Sequence, residues 1–447
     1  MASARAKPQA STAPPASPAP PATDLEATAV PNATSPAQAA APVPAPVQLR
    51  PRGSNHVGMR QYNERVVLQA IRLHGELPKA ELARLTHLSN QTISLIVNAL
   101  LADGLLVKRE PLRGRIGQPS VPIALDPDGA YSVGVKVGRR SMDVILIDFV
   151  GQVRQRWSLD YRYPDPDELV AEIGRRLTDL RAALTPAQFE RVQGIGIALP
   201  FSLGGWQTLL DMPPDVAARW PATDLRAEVA ALTELPVTLI KDTAAACVAE
   251  LVAGRGRSMP SFLYLFVDTF VGGGLVLDSH LYPGALGNAG AVASMPLQVA
   301  AEGQVPPQML SAASLLGLQK LFEAAGLNPE AAMDERALEP PWASHTRQWL
   351  RSAAQALAFG ISSATCLLDI GDVVVDGVFH RDLLSRLIGH IEEALDRHSW
   401  EGVARPSVRA GTVGSNARAL GGALLPLYAA FAPDPEVFLK AAPAPRP

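Results

Sequence analysis

The chain has 447 residues, with 40 Lys and Arg against 43 Asp and Glu, a net charge of −3 and 47% hydrophobic residues. That length predicts two to four domains with a sizeable core and excludes a wholly disordered chain. No apolar run is long enough to span a membrane, no secretory signal opens the chain, and two cysteines, Cys247 and Cys366, exclude a disulfide framework or a cysteine-rich zinc site. A cytoplasmic location is expected, and both cysteines read as core.

Charge is unevenly distributed. Residues 50–120 hold eleven Lys and Arg against five acids, a local charge of +6 that leaves −9 for the remainder. A basic block in an acidic chain points to a polyanionic partner, above all nucleic acid.

Residues 1–52 are almost wholly Ala, Pro, Ser and Thr, with 11 of the 40 prolines before Arg50. Such a composition buries little and predicts a disordered arm; the tail, 433–447, reads the same way. Residues 53–127 form the next expected unit. Tyr62 to His74 has helical periodicity in Val66, Val67, Ala70, Ile71 and Leu73, and Gly75 ends it. Pro78 opens a second helix with Leu82, Ala83 and Leu85 inward. After a turn at His87-Leu88, Ser89 N-caps a third helix, Asn90 to Asp103, closed by Gly104.

The third helix carries one apolar stripe, Ile93, Ile96, Val97, Leu100 and Leu101. Burying it turns Asn90, Gln91, Thr92, Ser94 and Asn98 outward. Strands Leu105 to Arg109 and Val121 to Leu125 then flank a hairpin with Arg113 and Arg115. Three helices and a basic hairpin make a winged helix-turn-helix. Ser89, Asn90, Gln91, Thr92, Ser94 and Asn98 are the expected major-groove residues; Arg113 and Arg115 suit a minor groove or phosphate.

Beyond residue 128 strands and helices alternate. Tyr131 to Val137 and Ser141 to Phe149 are strands joined by Gly138-Arg139-Arg140. Leu169 to Leu184 is a helix, Val192 to Leu199 an apolar strand, and Val237 to Ile240 leads into a small-residue helix, Ala244 to Ala253. The pattern restarts with Phe262 to Val267, Gly272-Gly273-Gly274 and Leu275 to Asp278. Helices Ala313 to Ala325 and Trp349 to Leu368 and the strand Val373 to Val375 follow. Two halves that each open strand-turn-strand predict a duplicated α/β body with a cleft between lobes 128–246 and 247–432.

Three stretches carry a family resemblance: Gly194-Ile195-Gly196-Ile197-Ala198-Leu199-Pro200, Lys241-Asp242-Thr243-Ala244-Ala245-Ala246, and Gly284-Ala285-Leu286-Gly287-Asn288-Ala289-Gly290. Together with Asp376-Gly377 and their order, the chain resembles ROK proteins (repressor, open reading frame, kinase) over residues 60–430. That resemblance implies a winged helix-turn-helix followed by a two-lobed actin-like, ribonuclease-H-like sugar-kinase fold. It also implies a sugar-binding cleft in which Asp242 matches the family's catalytic base and sugar ligand.

The kinase signature is degraded. Where the family has Asp-x-Gly-Gly-Thr, this chain has Lys136-Val137-Gly138-Arg139-Arg140, and the second phosphate loop reads Asp268-Thr269-Phe270. The family's Gly-Glu-x-Gly-His becomes Gly290-Ala291-Val292-Ala293-Ser294, and the zinc cysteines are missing. No catalytic residue, metal or cofactor is therefore expected. Asp242, Lys241, Asn288, Ser294, Lys136, Arg139 and Arg140 are the candidate effector residues. The cations among them suit an anionic ligand such as a sugar acid or sugar phosphate; alternatively, the two arginines are solvated turn residues, and Asp242 with Lys241 is a surface charge pair.

The expected function is a transcriptional regulator, a repressor in preference to an activator, of carbohydrate genes. It would bind double-stranded operator DNA as a homodimer or homotetramer under a sugar-type effector. An active sugar kinase fused to a helix-turn-helix, and a ligand-independent dimeric DNA-binding protein, are the alternatives.

Overall fold

The computed structural model describes residues 56–111, 121–204, 207–299 and 303–433. The arm 1–52, the wing arginines Arg113 and Arg115, and nearly all of the tail lie outside the described residues. No helix among the described residues is long and apolar enough to cross a membrane.

The head begins with α1 (His56–His74), β1 (Leu77–Pro78), α2 (Lys79–Thr86) and α3 (Asn90–Ala102), followed by β2 (Leu106–Lys108) and β3 (Pro122–Leu125). Ser89 stops the chain in an extended conformation and its hydroxyl accepts from the Thr92 amide at 3.1 Å, which fixes the start of α3. His87 turns the chain between α2 and α3 with a left-handed φ of 56°. Ile93, Ile96, Val97 and Leu100 are then buried against Val67, Leu68 and Ile71 of α1 and Leu82 of α2. The strands form a small antiparallel sheet ordered β1-β3-β2.

The first lobe contains β4 (Tyr131–Val137), β5 (Ser141–Asp148), β6 (Val153–Asp160), α4 (Pro166–Ala183), α5 (Pro186–Phe189) and β7 (Val192–Leu199). Short helices α6 (Gln207–Leu210), α7 (Pro214–Arg219) and α8 (Leu225–Ala230) lead to β8 (Val237–Lys241). Next come α9 (Asp242–Ala253), β9 (Phe262–Val267), β10 (Val271–Leu277), β11 (His280–Leu281), α10 (Met309–Ala313), α11 (Leu315–Ala324) and α12 (Ala343–Leu368). The last described elements are β12 (Asp372–Gly377), α13 (Arg381–Leu395), β13 (Ser407–Ala410) and α14 (Ala417–Phe431).

The two five-stranded sheets repeat one topology, β6-β5-β4-β7-β8 and β11-β10-β9-β12-β13. In each, the first strand pairs antiparallel with the second and parallel with the fourth. The expected duplication is therefore present, with both first turns facing one cleft. The expected lobe division at 246/247 falls inside α9.

Helices α9 and α14 pack on each other, and α14 also covers β4 and β7. A Cβ added at Gly421 would stand 1.7 Å from the Ala245 carbonyl oxygen, and one added at Gly196 would stand 1.9 Å from that of Gly422. Only glycine allows these backbones so close. The elements expected from the sequence include none of β6, β13, α13 and α14. In α14 the pair Gly421-Gly422 and the internal Pro426 argue against a helix locally, and burial of nearly the whole segment overrides them. One correction concerns the cysteines: Cys247 is buried in α9 as expected, whereas Cys366 on α12 is exposed.

Candidate functional site

Two sites emerge. On α3, Asn90, Gln91 and Asn98 are exposed, and Thr92 and Ser94 are half-buried. Ser89 and Thr92 also hold the helix start, sharing a hydroxyl hydrogen bond of 2.9 Å, and Asn98 accepts from Lys79 at 3.1 Å. Leu95, which the apolar pattern excluded and the polar inventory ignored, is 67% exposed on this helix. Its place one turn after Gln91 was the available signal.

The second site is a cleft of about 240 Å³ where the β4–β5 and β9–β10 turns meet the start of α9. Arg139, Lys241, Asp242, Asn288 and Ser294 all line it, so five of the seven expected effector residues converge. The other two require correction. Lys136 is only 4% exposed and lies beneath the turn, 2.5 Å from the Ser141 hydroxyl and 3.3 Å from Asp143. Its ammonium is held by those two partners below the lining, its charge still acts on Asp268 and Arg418 of the cleft, and burial lowers its pKa. Arg140, one residue past the apex, is absent from the lining; its carbonyl accepts from the Tyr161 amide at 3.0 Å.

The residue that sequence reading missed is Arg418, near the start of α14. It is 6% exposed and pairs with Asp268 at 2.5 Å and with Asp242 at 3.7 Å. Burial alone would lower its pKa, but the two carboxylates raise it. Burial likewise pushes Asp268 up, and Arg418 and Lys136 more than reverse this. Both partners are therefore charged at neutral pH. The Arg139 guanidinium lies over the Phe270 ring at 4.5 Å, and the Arg418 guanidinium over Phe266 at 5.3 Å. Lys241 donates to the Ala289 carbonyl at 3.0 Å, and burial lowers its pKa to about 8. Arg418 was illegible because no local pattern marks a lone arginine near the start of an unassigned helix.

Chemically, this cleft holds fixed charge and neutral hydrogen-bonding groups. No cluster of His, Cys, Asp or Glu among the described residues is arranged to hold a metal ion.

The family model described as "ROK family" matches residues 132–428. An uncharacterized protein, y4fQ, of Sinorhizobium fredii is 27% identical over 373 residues, covering 83% of this chain and 91% of that protein. A putative xylose repressor of a Caldicellulosiruptor species is 21% identical over 336 residues, covering 74% of this chain and 84% of that one. Among solved structures, a ROK family transcriptional regulator described as a homolog of the E. coli MLC protein superposes with a TM-score of 0.61 at 20% identity. That match covers 85% of this chain and 98% of the other, and it shows the fold.

Proposed function

Because the chain belongs to the ROK family, we propose that it is a DNA-binding transcriptional regulator, acting as a repressor, whose body holds a sugar-type effector in a non-catalytic cleft. The observation that carries this reading is the pairing of the head with an altered cleft. The outward polar face of α3 suits a major groove, in which Gln91 and Asn90 would meet base edges, with Asn98 farther along the helix. Phosphoryl transfer needs a carboxylate to hold the metal and open backbone or hydroxyl donors around the phosphates. On the family resemblance Lys136 stands where that acid would be, while Asp268 is committed to Arg418 and Phe270 carries Arg139. The cleft's volume of about 240 Å³ accommodates a small ligand.

Operator binding by a symmetric oligomer follows the two-fold logic of half-sites. Effector control is then linkage: a ligand that prefers one arrangement of the lobes changes operator affinity by its differential binding energy. The name of the putative xylose repressor supports a carbohydrate-linked role. The test is fluorescence anisotropy on fragments upstream of the protein's own gene, alongside an ATP-consumption assay over a sugar panel. Salt-dependent, sequence-selective DNA binding with no sugar-stimulated ATP turnover is expected. Brisk turnover without DNA binding would overturn the reading in favour of a kinase.

A further inference from the structure

The cleft holds more positive charge than its own carboxylates neutralise. We propose that its ligand is a sugar acid, a monosaccharide-sized polyol whose single carboxylate lies between Arg139 and Lys241. This deepens the regulator reading and rests on it. Three cations, Arg139, Lys241 and Arg418, line the cleft with two acids, Asp242 and Asp268. Arg418 engages both acids, and the Asp242 Oδ1 also accepts from the Thr243 amide at 2.7 Å.

No ion pair joins Arg139 or Lys241 to a carboxylate among the described residues. The buried Arg139 Nε has no hydrogen-bond partner within the protein. Stacking on Phe270 holds the guanidinium plane, and a planar fork matches a carboxylate. Asn288, Ser294 and Thr269 supply neutral partners for hydroxyls. One excess cation balances a carboxylate, whereas a phosphate ester carries about −1.5 to −2.

Calorimetry on the full chain with D-xylose, D-glucose and D-galactose, their aldonates and uronates, and glucose 6-phosphate tests this. At least one acid should bind tenfold more tightly than its neutral parent, and Arg139→Gln and Lys241→Gln should each remove that difference. A neutral sugar or the phosphate binding as tightly as the acid would overturn it, as would silence across the panel. Anisotropy with promoter DNA on the same preparation separates the two failures. Protein that binds DNA but ignores the acids loses only this inference, and protein that ignores both loses the regulator reading as well.

A separate observation carries a second inference: we infer that α9 and α14 form a two-helix strut linking the cleft to the DNA-binding head. Both helices start at the cleft, with Asp242 and Arg418 joined at 3.7 Å, and they touch backbone to backbone at Ala245 and Gly421. Both finish at α1. Beyond α9, Arg257 donates to the Leu73 carbonyl at 2.8 Å. Near the end of α14, Tyr428 lies 5.3 Å from the Arg72 guanidinium, which Phe149 faces at 5.1 Å. A rigid pair fixed at both ends carries a shift at one end to the other, and the coupling is reciprocal.

Hydrogen exchange on the full chain tests it without effector or DNA. Asp242→Asn should speed exchange at least threefold in residues 70–74 of α1 and leave α3 unchanged. Arg257→Gln, an exposed site that does not threaten folding, should change exchange in residues 243–247 of α9. Changes confined to the mutated end in the Arg257 variant would overturn the strut, whatever the Asp242 variant does.

Discussion

The two lobes share a backbone plan and have opposite chemistry at equivalent turns. Between β4 and β5 the turn is cationic, with Lys136 beneath it and Arg139 at the cleft. Between β9 and β10 it offers Asp268 and Phe270. The strand pairing is the same in both, so the backbone does not dictate this difference. Side chains from the two turns make facing parts of a charged, ring-lined pocket, and Arg418 from α14 ties Asp268 of the second turn to Asp242 at the start of α9. A duplicated fold thus keeps its cleft while the chemistry within it changes.

The sharpest way to break that comparison is Asp268→Asn. It leaves the buried Arg418 without its nearest carboxylate and should destabilise the protein by about 3–5 kcal/mol in urea unfolding. A loss under about 1 kcal/mol would mean that water already screens the pair. Gly421→Ala tests whether α14 is fixed in place: the added methyl group meets the Ala245 carbonyl and should cost about 1–3 kcal/mol of overpacking, partly offset by about 0.5–1 kcal/mol of helix preference.

In the head, Gln91→Ala should weaken operator binding by about 1–3 kcal/mol without altering affinity for random duplex. Equal losses on both DNAs would remove α3 from base readout. Ser89→Ala should cost about 1 kcal/mol of stability through the lost cap, read as a lower urea midpoint. The smallest effect belongs to the opposite turn: Arg139→Gln, which breaks no ion pair to a carboxylate, should change stability by less than about 1 kcal/mol while removing the preference for an acid over its neutral parent.

The pH dependence has a definite sign. Lys241 is lowered to about 8 in the fold, so acid affinity should be full at pH 7 and fall as pH rises through 8. For stability the relation reverses. Between about 8 and the ordinary lysine value the unfolded chain binds more protons, so the folding penalty of Lys241 eases with rising pH. A titration of acid binding that stays flat to pH 9 would exclude Lys241 from the anion site.

Periodicity and capping made the head readable: the stripe Ile93, Ile96, Val97 and Leu100 is buried where the spacing placed it, and Ser89 caps α3. Motif order made the cleft readable through Asp242, Lys241, Asn288 and Ser294. These features are local, because a helix face and a turn are set by neighbours within a few residues. Tertiary structure alone decided the charge network. Arg418 lies 176 positions beyond Asp242, and only the packing of α14 on α9 brings them within 3.7 Å. The tertiary fold likewise decided that Lys136 is buried and that Arg139 lines the cleft. The reason is physical: which side of a turn meets water depends on what folds over it, and pairing between charges distant in sequence leaves no periodic trace along the chain.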